Sequence, residues 1–350
     1  MPRVAFACAF LTALLVRCEH RQHAEVESSR LVWDTWEPVF EIGRADGSQG
    51  EAFGSVRDVA ITSEEVLVVL DRIAHQLKPI SNQGVVGPPI GRLGGGPGEF
   101  GDPVSVVGIS PDTVVVFDRA RGAIQVFTLD GETLRFLSSA RLPFWPNDAC
   151  SIGGDLYALA LYNERVIHEI NTNGDIVRSL SSVRALVQSQ GVGADPVLNH
   201  ERGGGWLACV TDGDMIVHAT ERLGEVHAYS ARSSELLWSH YINGFRPPLR
   251  TLTAGGVRYD FDPNVGFADR VVSIASLEAA LVQIVVETRY PRSVSQQPRR
   301  FSIFLGLGGA EQARTSGVPE FVVATTDRAV SRIHQPVPRL TLWRKPTSQQ

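Results

Sequence analysis

"IGRLGGGPGEFGDPVSVVGI" (residues 90–109) decides the fold, because it nearly repeats "IGRADGSQGEAFGSVRDVAI" (residues 42–61). Ile42-Gly43-Arg44 returns 48 residues later as Ile90-Gly91-Arg92, and Gly50-Glu51 with Phe53-Gly54 returns as Gly98-Glu99 with Phe100-Gly101. The glycine run Gly94-Gly95-Gly96-Pro97-Gly98 invites a phosphate-cradle reading. A phosphate loop, however, needs its own glycine spacing, a following Lys-Ser/Thr and a helix whose first amides face the anion, and none of these follows here. The first copy places Ala45-Asp46-Gly47-Ser48-Gln49 at the same position, so an ordinary loop suffices there. The stretch reads as a connection from the outer strand of one repeat to the inner strand of the next.

Working outward, an apolar strand ending in an acidic residue near an arginine recurs six times. The copies are "VVLDR" (68–72), "VVFDR" (115–119), "LALYNER" (159–165), "VHATER" (217–222), "IVVETR" (284–289) and "VATTDR" (323–328). The acidic residues Asp71, Asp118, Glu164, Glu221, Glu287 and Asp327 are separated by 47, 46, 57, 66 and 40 positions, each enough for four short antiparallel strands and their loops. Between them lie β-rich runs with Asp-Gly and Asn-Gly turn signals, and no segment sustains helical periodicity. The expected fold is all-β, a six-bladed β-propeller, in which radial repetition protects the sheet edges. After Asp327-Arg328 only "PRLTLW" (338–343) remains as a strand, whereas the early segment "PVFEI" (38–42) has no partner. That N-terminal strand is expected to complete the last blade and close the ring. Recurrence of the acidic residues across blades argues for a shared turn requirement, met by accepting hydrogen bonds from loop amides, and not for catalysis.

"GRLGGGPGEFGDP" followed by "VVVFDRARGAIQVFTLDGE" resembles the exported six-bladed β-propeller proteins of bacteria, related in fold to NHL-repeat and TolB-like propellers. The resemblance, carried by residues 36–180, implies the fold and an envelope location. Members of that group are often lipoproteins, and most have no assigned activity.

The chain opens with Arg3 and an apolar run from Val4 to Val16. This run suits an export signal, being shorter than the ~20 residues that span a bilayer. "LLVRC" (14–18) is similar to a lipoprotein processing box, with Arg17 in place of the small residue such a box has before its cysteine. Two outcomes are open for Cys18, lipidation or ordinary processing of the leader. The expected organisation is an export signal over 1–18, a tether over 19–35 and one propeller over 36–345. The protein is expected in the cell envelope, periplasmic or associated with the outer membrane, with the membrane as partner only through a lipid on Cys18. A formal net charge of −5 offers no basic field for a phosphate backbone, which argues against nucleic acid. Beyond the leader only Cys150 and Cys209 remain. Both are expected on equivalent inner strands as free, buried thiols, held apart by more than the ~7 Å a disulfide can bridge.

A propeller presents the start of each inner strand at one mouth of its channel, which singles out Arg57, Asp58, Asp102, Asn147, Asp148, Asp269, Arg270 and Glu320 as candidate ligand-binding residues. Asp58 and Asp148 share a register and are expected at one level of the channel. Two long irregular segments, 183–205 and 243–267, are candidate specificity elements, the second offering Arg246, Arg250, Arg258, Tyr259 and Phe261 to an anionic or planar partner. His168, His218 and His227 fall in strand-like runs and are expected to be satisfied structurally. No Ser-His-Asp arrangement or GxSxG is present, and no catalytic residue is assigned. The expected function is binding of a protein, peptide or glycan through one face, without a cofactor. The alternative is a calcium-assisted hydrolase or lyase, which requires at least three of these carboxylates and amides to converge on one point.

Overall fold

Strand accounts for 57% of the described residues and helix for 4%. A computed structural model of the chain describes residues 36–45, 51–62, 66–183, 196–253, 256–277 and 281–346. The expected leader with Cys18, the tether, and residues 184–195 of the first insertion lie outside these residues.

Six antiparallel sheets surround one channel, each with its first strand innermost. Blade 1 holds β2 (Val56–Ile61), β3 (Leu67–Asp71) and β4 (Gln76–Ile80). Its outer edge is reduced to two isolated bridges, Leu77–Ile90 and Ile80–Val86. Pro88 and Pro89 lie in that edge and lack the amides a continuous ladder needs. Blade 2 holds β5 (Pro103–Ser110), β6 (Thr113–Asp118), β7 (Ala123–Asp130) and β8 (Thr133–Arg141). Blade 3 holds β9 (Asp148–Ile152), β10 (Asp155–Tyr162), β11 (Arg165–Ile170) and β12 (Ile176–Ser182). Blade 4 holds β13 (Trp206–Val210), β14 (Met215–Ala219), β15 (Glu225–Ser230) and β16 (Leu236–Tyr241). After a separate hairpin of β17 (Leu249–Thr253) and β18 (Gly256–Asp260), blade 5 holds β19 (Ala268–Leu277), β20 (Leu281–Arg289), β21 (Arg299–Leu305) and β22 (Glu311–Thr315). Blade 6 holds β23 (Glu320–Ala324), β24 (Arg328–Ile333) and β25 (Arg339–Arg344), and its fourth strand is β1 (Glu37–Ile42) from the other end of the chain.

The expected closure is thus present, with Ile42 opposite Leu340 and Glu37 opposite Arg344. The sixth acidic marker stands at a different place in its blade from the one expected. Asp327 lies in the turn between the first and second strands of its blade, not at the end of the second strand as Asp71 and Asp118 do. Two strands therefore follow it, and the sixth marker is a coincidence of composition.

Middle strands such as β6 ("TVVVFD") are buried along almost their whole length, because a neighbouring blade covers each of their faces, whereas outer β8 alternates and is mostly exposed. The hydrophobic core is accordingly divided into six inter-blade layers. Phe100, Val106, Val116 and Phe127 of blade 2 meet Ala60, Val68, Leu70 and Leu77 of blade 1. Val217, Val226 and Ala228 of blade 4 likewise meet Ile274, Ile284 and Ile303 of blade 5. The layer between blades 5 and 6 is the thinnest, built on Trp36, Ala275, Phe321 and Ala329.

Cys150 and Cys209 are disulfide-bonded, with Cα atoms 5.6 Å apart, which corrects the expectation of free thiols. Inner strands converge on the channel, so equivalent positions on β9 and β13 come closer than blades do at larger radius. Both cysteines are half-buried, in a layer with Tyr157, Leu159 and Ile216. The two segments expected to be irregular also carry structure. Residues 196–202 form a short helix, α1 (Pro196–Arg202), and the second insertion contains the β17–β18 hairpin.

Candidate functional site

Every inner strand starts on the same side of the ring, called here the upper face. All links from an outer strand to the next inner strand run there, and so do both insertions. Among the described residues, the lower face carries turns within blades and the ends of β1 and β25 at Glu37 and Arg344. This asymmetry makes the upper mouth the candidate site.

The repeated sequence signature builds that mouth. The Asp71 carboxylate accepts hydrogen bonds from the amides of Gly54 (2.9 Å), Ser55 (2.9 Å) and Ala74 (3.3 Å). Asp118 does the same for Gly101 (2.6 Å), Asp102 (2.9 Å) and Arg121 (3.3 Å). Phe-Gly and Asp-Arg therefore recur together because one fixes the other: the buried acid pins the connection just before each inner strand. Gly101 has no space for a larger residue, since a Cβ there would lie 3.0 Å from that of Ala120. The arginine after each acid leans over the mouth, and both reach Asp102, Arg72 at 2.8 Å and Arg119 at 2.6 Å.

One level deeper, polar groups on the inner strands tie each blade to the next. Asp58 accepts from the Ser105 hydroxyl (2.6 Å) and the Val106 amide (2.9 Å), and the Ser105 oxygen also lies 3.1 Å from the Ala149 carbonyl. Asp148 accepts from the Leu207 amide (2.8 Å), and the Trp206 indole donates to the Val271 carbonyl (3.1 Å). Ser273 donates to the Phe321 carbonyl (3.4 Å), and Arg332 closes the belt onto the Arg57 carbonyl. Burial pushes the Asp148 carboxyl up to about 7, with Arg57 opposing and Asp58 adding to the rise. Burial also raises Asp58, against the bonds from Ser105 and Val106.

Above this belt a cavity of about 390 Å³ is lined by six arginines, Arg57, Arg72, Arg119, Arg270, Arg300 and Arg332, with His334, Trp206, Asn147 and Glu221. Five of the arginines are ion-paired. Arg72 and Arg119 share Asp102; Arg270 and Arg300 meet Glu287 at 3.1 and 2.8 Å; Arg332 meets Glu320 at 2.8 Å. Burial alone would push Glu320 up, but Arg332, His334 and Arg300 hold its carboxyl at about 2. Arg57 differs. Its guanidinium lies 4.1 Å from the Trp206 ring centroid and donates to the carbonyls of Val104 (3.0 Å) and Asn147 (3.4 Å), with no carboxylate in ion-pairing reach among the described residues. Burial lowers it to about 10, which leaves it charged at neutral pH.

The structure thus brings Arg57, Asn147 and Arg270 to one mouth, with Asp102 and Glu320 at its wall, and places Asp58 and Asp148 one level deeper in the channel. Asp269 stays outside. Its carboxylate accepts from the Arg246 amide (3.0 Å) and the Thr288 hydroxyl (2.6 Å). On the hairpin, Arg258 pairs with Asp260 (2.9 Å), Arg250 with Glu201 of α1 (2.7 Å), and Arg222 stacks on Tyr259 (4.5 Å), so the two insertions lock onto each other. Arg246 is exposed and Phe261 half-buried. The carboxylates at the mouth face arginines and amide donors, and among the described residues no group of three or more His, Cys, Asp or Glu is placed to hold a metal ion. His168 is satisfied by Ser179 (2.8 Å) and the Ala160 carbonyl (3.1 Å), and His227 by Ser239 (2.9 Å). His218 keeps one bond, to the Gly204 carbonyl, while its Nδ1 has no partner. The residues missed from sequence are Trp206, Arg300, Arg332 and His334, together with the site role of Arg72 and Arg119. Only the last two carried a signal, as arginines of the repeated marker.

Around the arginines the upper face carries exposed apolar side chains: Ile73, Leu93, Trp145 and, on the hairpin, Leu252 are each about 70% accessible.

No family model matches the chain, and no curated protein matches it in sequence. Solved structures are similar in fold. A Bacteroides fragilis protein designated as exported aligns over 90% of this chain and 96% of its own, with a TM-score of 0.57 and 12% identity. A DUF4221-family member from Bacteroides vulgatus aligns over 88% and 97%, with a TM-score of 0.55 and 7% identity. Kuenenia stuttgartiensis hydrazine synthase aligns over 82% and 76%, with a TM-score of 0.50 and 11% identity. Likeness at these identities shows the propeller fold, while kinship with NHL-repeat and TolB-like propellers rests on the sequence resemblance alone.

Proposed function

We propose that the protein is an exported binding propeller of the cell envelope that takes a protein, peptide or glycan on its upper face. The observation that carries the reading is the convergence there of the arginine-lined mouth, both insertions and the exposed Ile73, Leu93, Trp145 and Leu252. Aromatic residues and arginine are enriched at recognition surfaces and carry much of their binding energy. Export is supported by the apolar leader and by the Cys150–Cys209 bond, since disulfides persist in oxidising compartments. A lipid on Cys18 would be joined to the propeller through the strand that begins at Glu37, on the lower face. Binding is favoured over calcium-assisted hydrolysis because the mouth carboxylates are already engaged by arginines and amides.

The test is retention of peptide and glycan libraries on the immobilised propeller. A double variant Trp145→Ser/Leu252→Ser should lose the retained ligands, and Glu132→Ser on a lower-face turn should keep them. Equal retention by both variants contradicts the reading, as does turnover of a retained ligand that depends on added calcium.

A further inference from the structure

The channel mouth continues sideways into a second cavity of about 840 Å³ between blades 5 and 6, and the two share Arg300, Arg332 and His334. The cleft lies where the inter-blade core is thinnest. Its polar side is the Glu287–Arg300–Glu320 chain of ion pairs, and its apolar side is formed by Phe301, Val318 and Trp343.

From this continuity we infer that the mouth is a carboxylate site centred on Arg57, taking a ligand whose carboxylate is attached next to an apolar group that lies in the cleft between blades 5 and 6. The inference rests on the upper-face reading and specifies its ligand chemistry. Arg57 is pre-organised: Trp206 holds the guanidinium plane, two carbonyls fix its orientation, and the remaining donor nitrogen, Nη1, makes no bond to protein. Planar guanidinium groups match a carboxylate's two oxygens, and a desolvated unpaired cation gains most from one. The other five arginines each face a carboxylate, with Asp102 and Glu287 each shared by two of them, so Arg57 is the one without an ion-pair partner among the described residues. A cleft with a half-apolar wall suits a carboxylate borne on a hydrophobic group, such as the C-terminal residue or an acidic side chain of a peptide, better than a fully hydrated inorganic anion. Asp58 and Asp148 beneath Arg57 spend their oxygens on the belt, accepting from Ser105, Val106 and Leu207.

The experiment uses N-acetylphenylalanine, its C-terminal amide, N-acetylphenylalanyl-aspartate amide, and sodium phosphate at constant ionic strength. The readouts are tryptophan fluorescence and melting temperature of the mature protein. N-acetylphenylalanine should saturate both signals, and the amide should not. Trp206→Phe should remove most of the fluorescence change, and Arg57→Met should weaken binding about tenfold or more. Because Arg57 is half-buried and bonded to two carbonyls, so that its loss could disturb folding, a second variant acts from the exposed rim: Gln297→Glu places a negative charge at the cleft and should also weaken the probe. Response to the aspartate peptide with none to N-acetylphenylalanine assigns the carboxylate to a side chain and upholds the site. Binding of phosphate alone, or of acid and amide equally, overturns the inference, as does full binding by a folded Arg57→Met. Should retention of libraries still depend on Trp145 and Leu252 in that case, the upper-face reading stands and only the carboxylate site falls.

Discussion

Replacing both Cys150 and Cys209 by alanine removes the covalent link between the inner strands of blades 3 and 4. The bond closes a loop with a sequence separation of 59, which spans blade 3 and the first insertion. In the chain-entropy account, a loop of that size withdraws about 14 cal/mol/K from the unfolded ensemble, or about 4 kcal/mol at 25 °C. Unfolding entropy of about 2.1 cal/mol/K per residue, over the roughly 310 residues from 36 to 346, converts that into a fall of about 6 °C in melting temperature. Alanine also gives up some packing in the Tyr157–Ile216 layer, so the double variant should fall slightly further than the reduced wild type. Calorimetry of the oxidised protein, the reduced protein and the double variant separates the two contributions. Two alkylatable thiols in the native oxidised protein, or a shift below about 1 °C, would refute the reasoning.

Three further outcomes are expected. Deleting residues 37–42 exposes the edge of β25 and removes Ile42 from its layer, so the protein should aggregate or melt far earlier by light scattering and calorimetry, whereas deleting 19–29 should change little. Asp118→Ala strips three amides of their acceptor and should cost about 3 kcal/mol or more in denaturant titrations, against less than about 1 kcal/mol for Asp327→Ala in its exposed lower-face turn. Asp148, raised to about 7, keeps in the folded state a proton that the unfolded chain has released. Its burial cost therefore grows as pH rises from about 4 and levels off above about 7, and the melting temperature of Asp148→Asn relative to wild type should climb between pH 5 and pH 8; a constant difference would contradict the assignment.

Blade architecture is legible in this sequence because propeller constraints are local. The Phe-Gly/Asp-Arg pairing repeats wherever a connection must be pinned by a buried acid, and a strand with no partner at one end of the chain answers a deficit at the other. Convergence in space is less legible. Arg300, Arg332 and His334 come from blades 5 and 6, where Glu287 stands inside its strand and Asp327 imitates the marker in the wrong turn. Trp206 gives no hint of the cation beneath it, since the stacking depends on the rotation between blades 1 and 4 around the channel. The Cys150–Cys209 bond is hidden for the same reason: spacing along the chain does not reveal how closely inner strands approach at small radius. Asp58 and Asp148 do share a level, as their register implied, but they serve the belt between blades before any ligand.

Use of the upper face for binding can be read in cells that produce the protein by placing a photo-crosslinking amino acid at one site at a time. Introduced at Trp145 or Leu252 on the upper face, it should give a discrete crosslinked species. Introduced at Glu132 or Asp212 on lower-face turns, it should give none. Crosslinking confined to the lower-face positions would contradict the account.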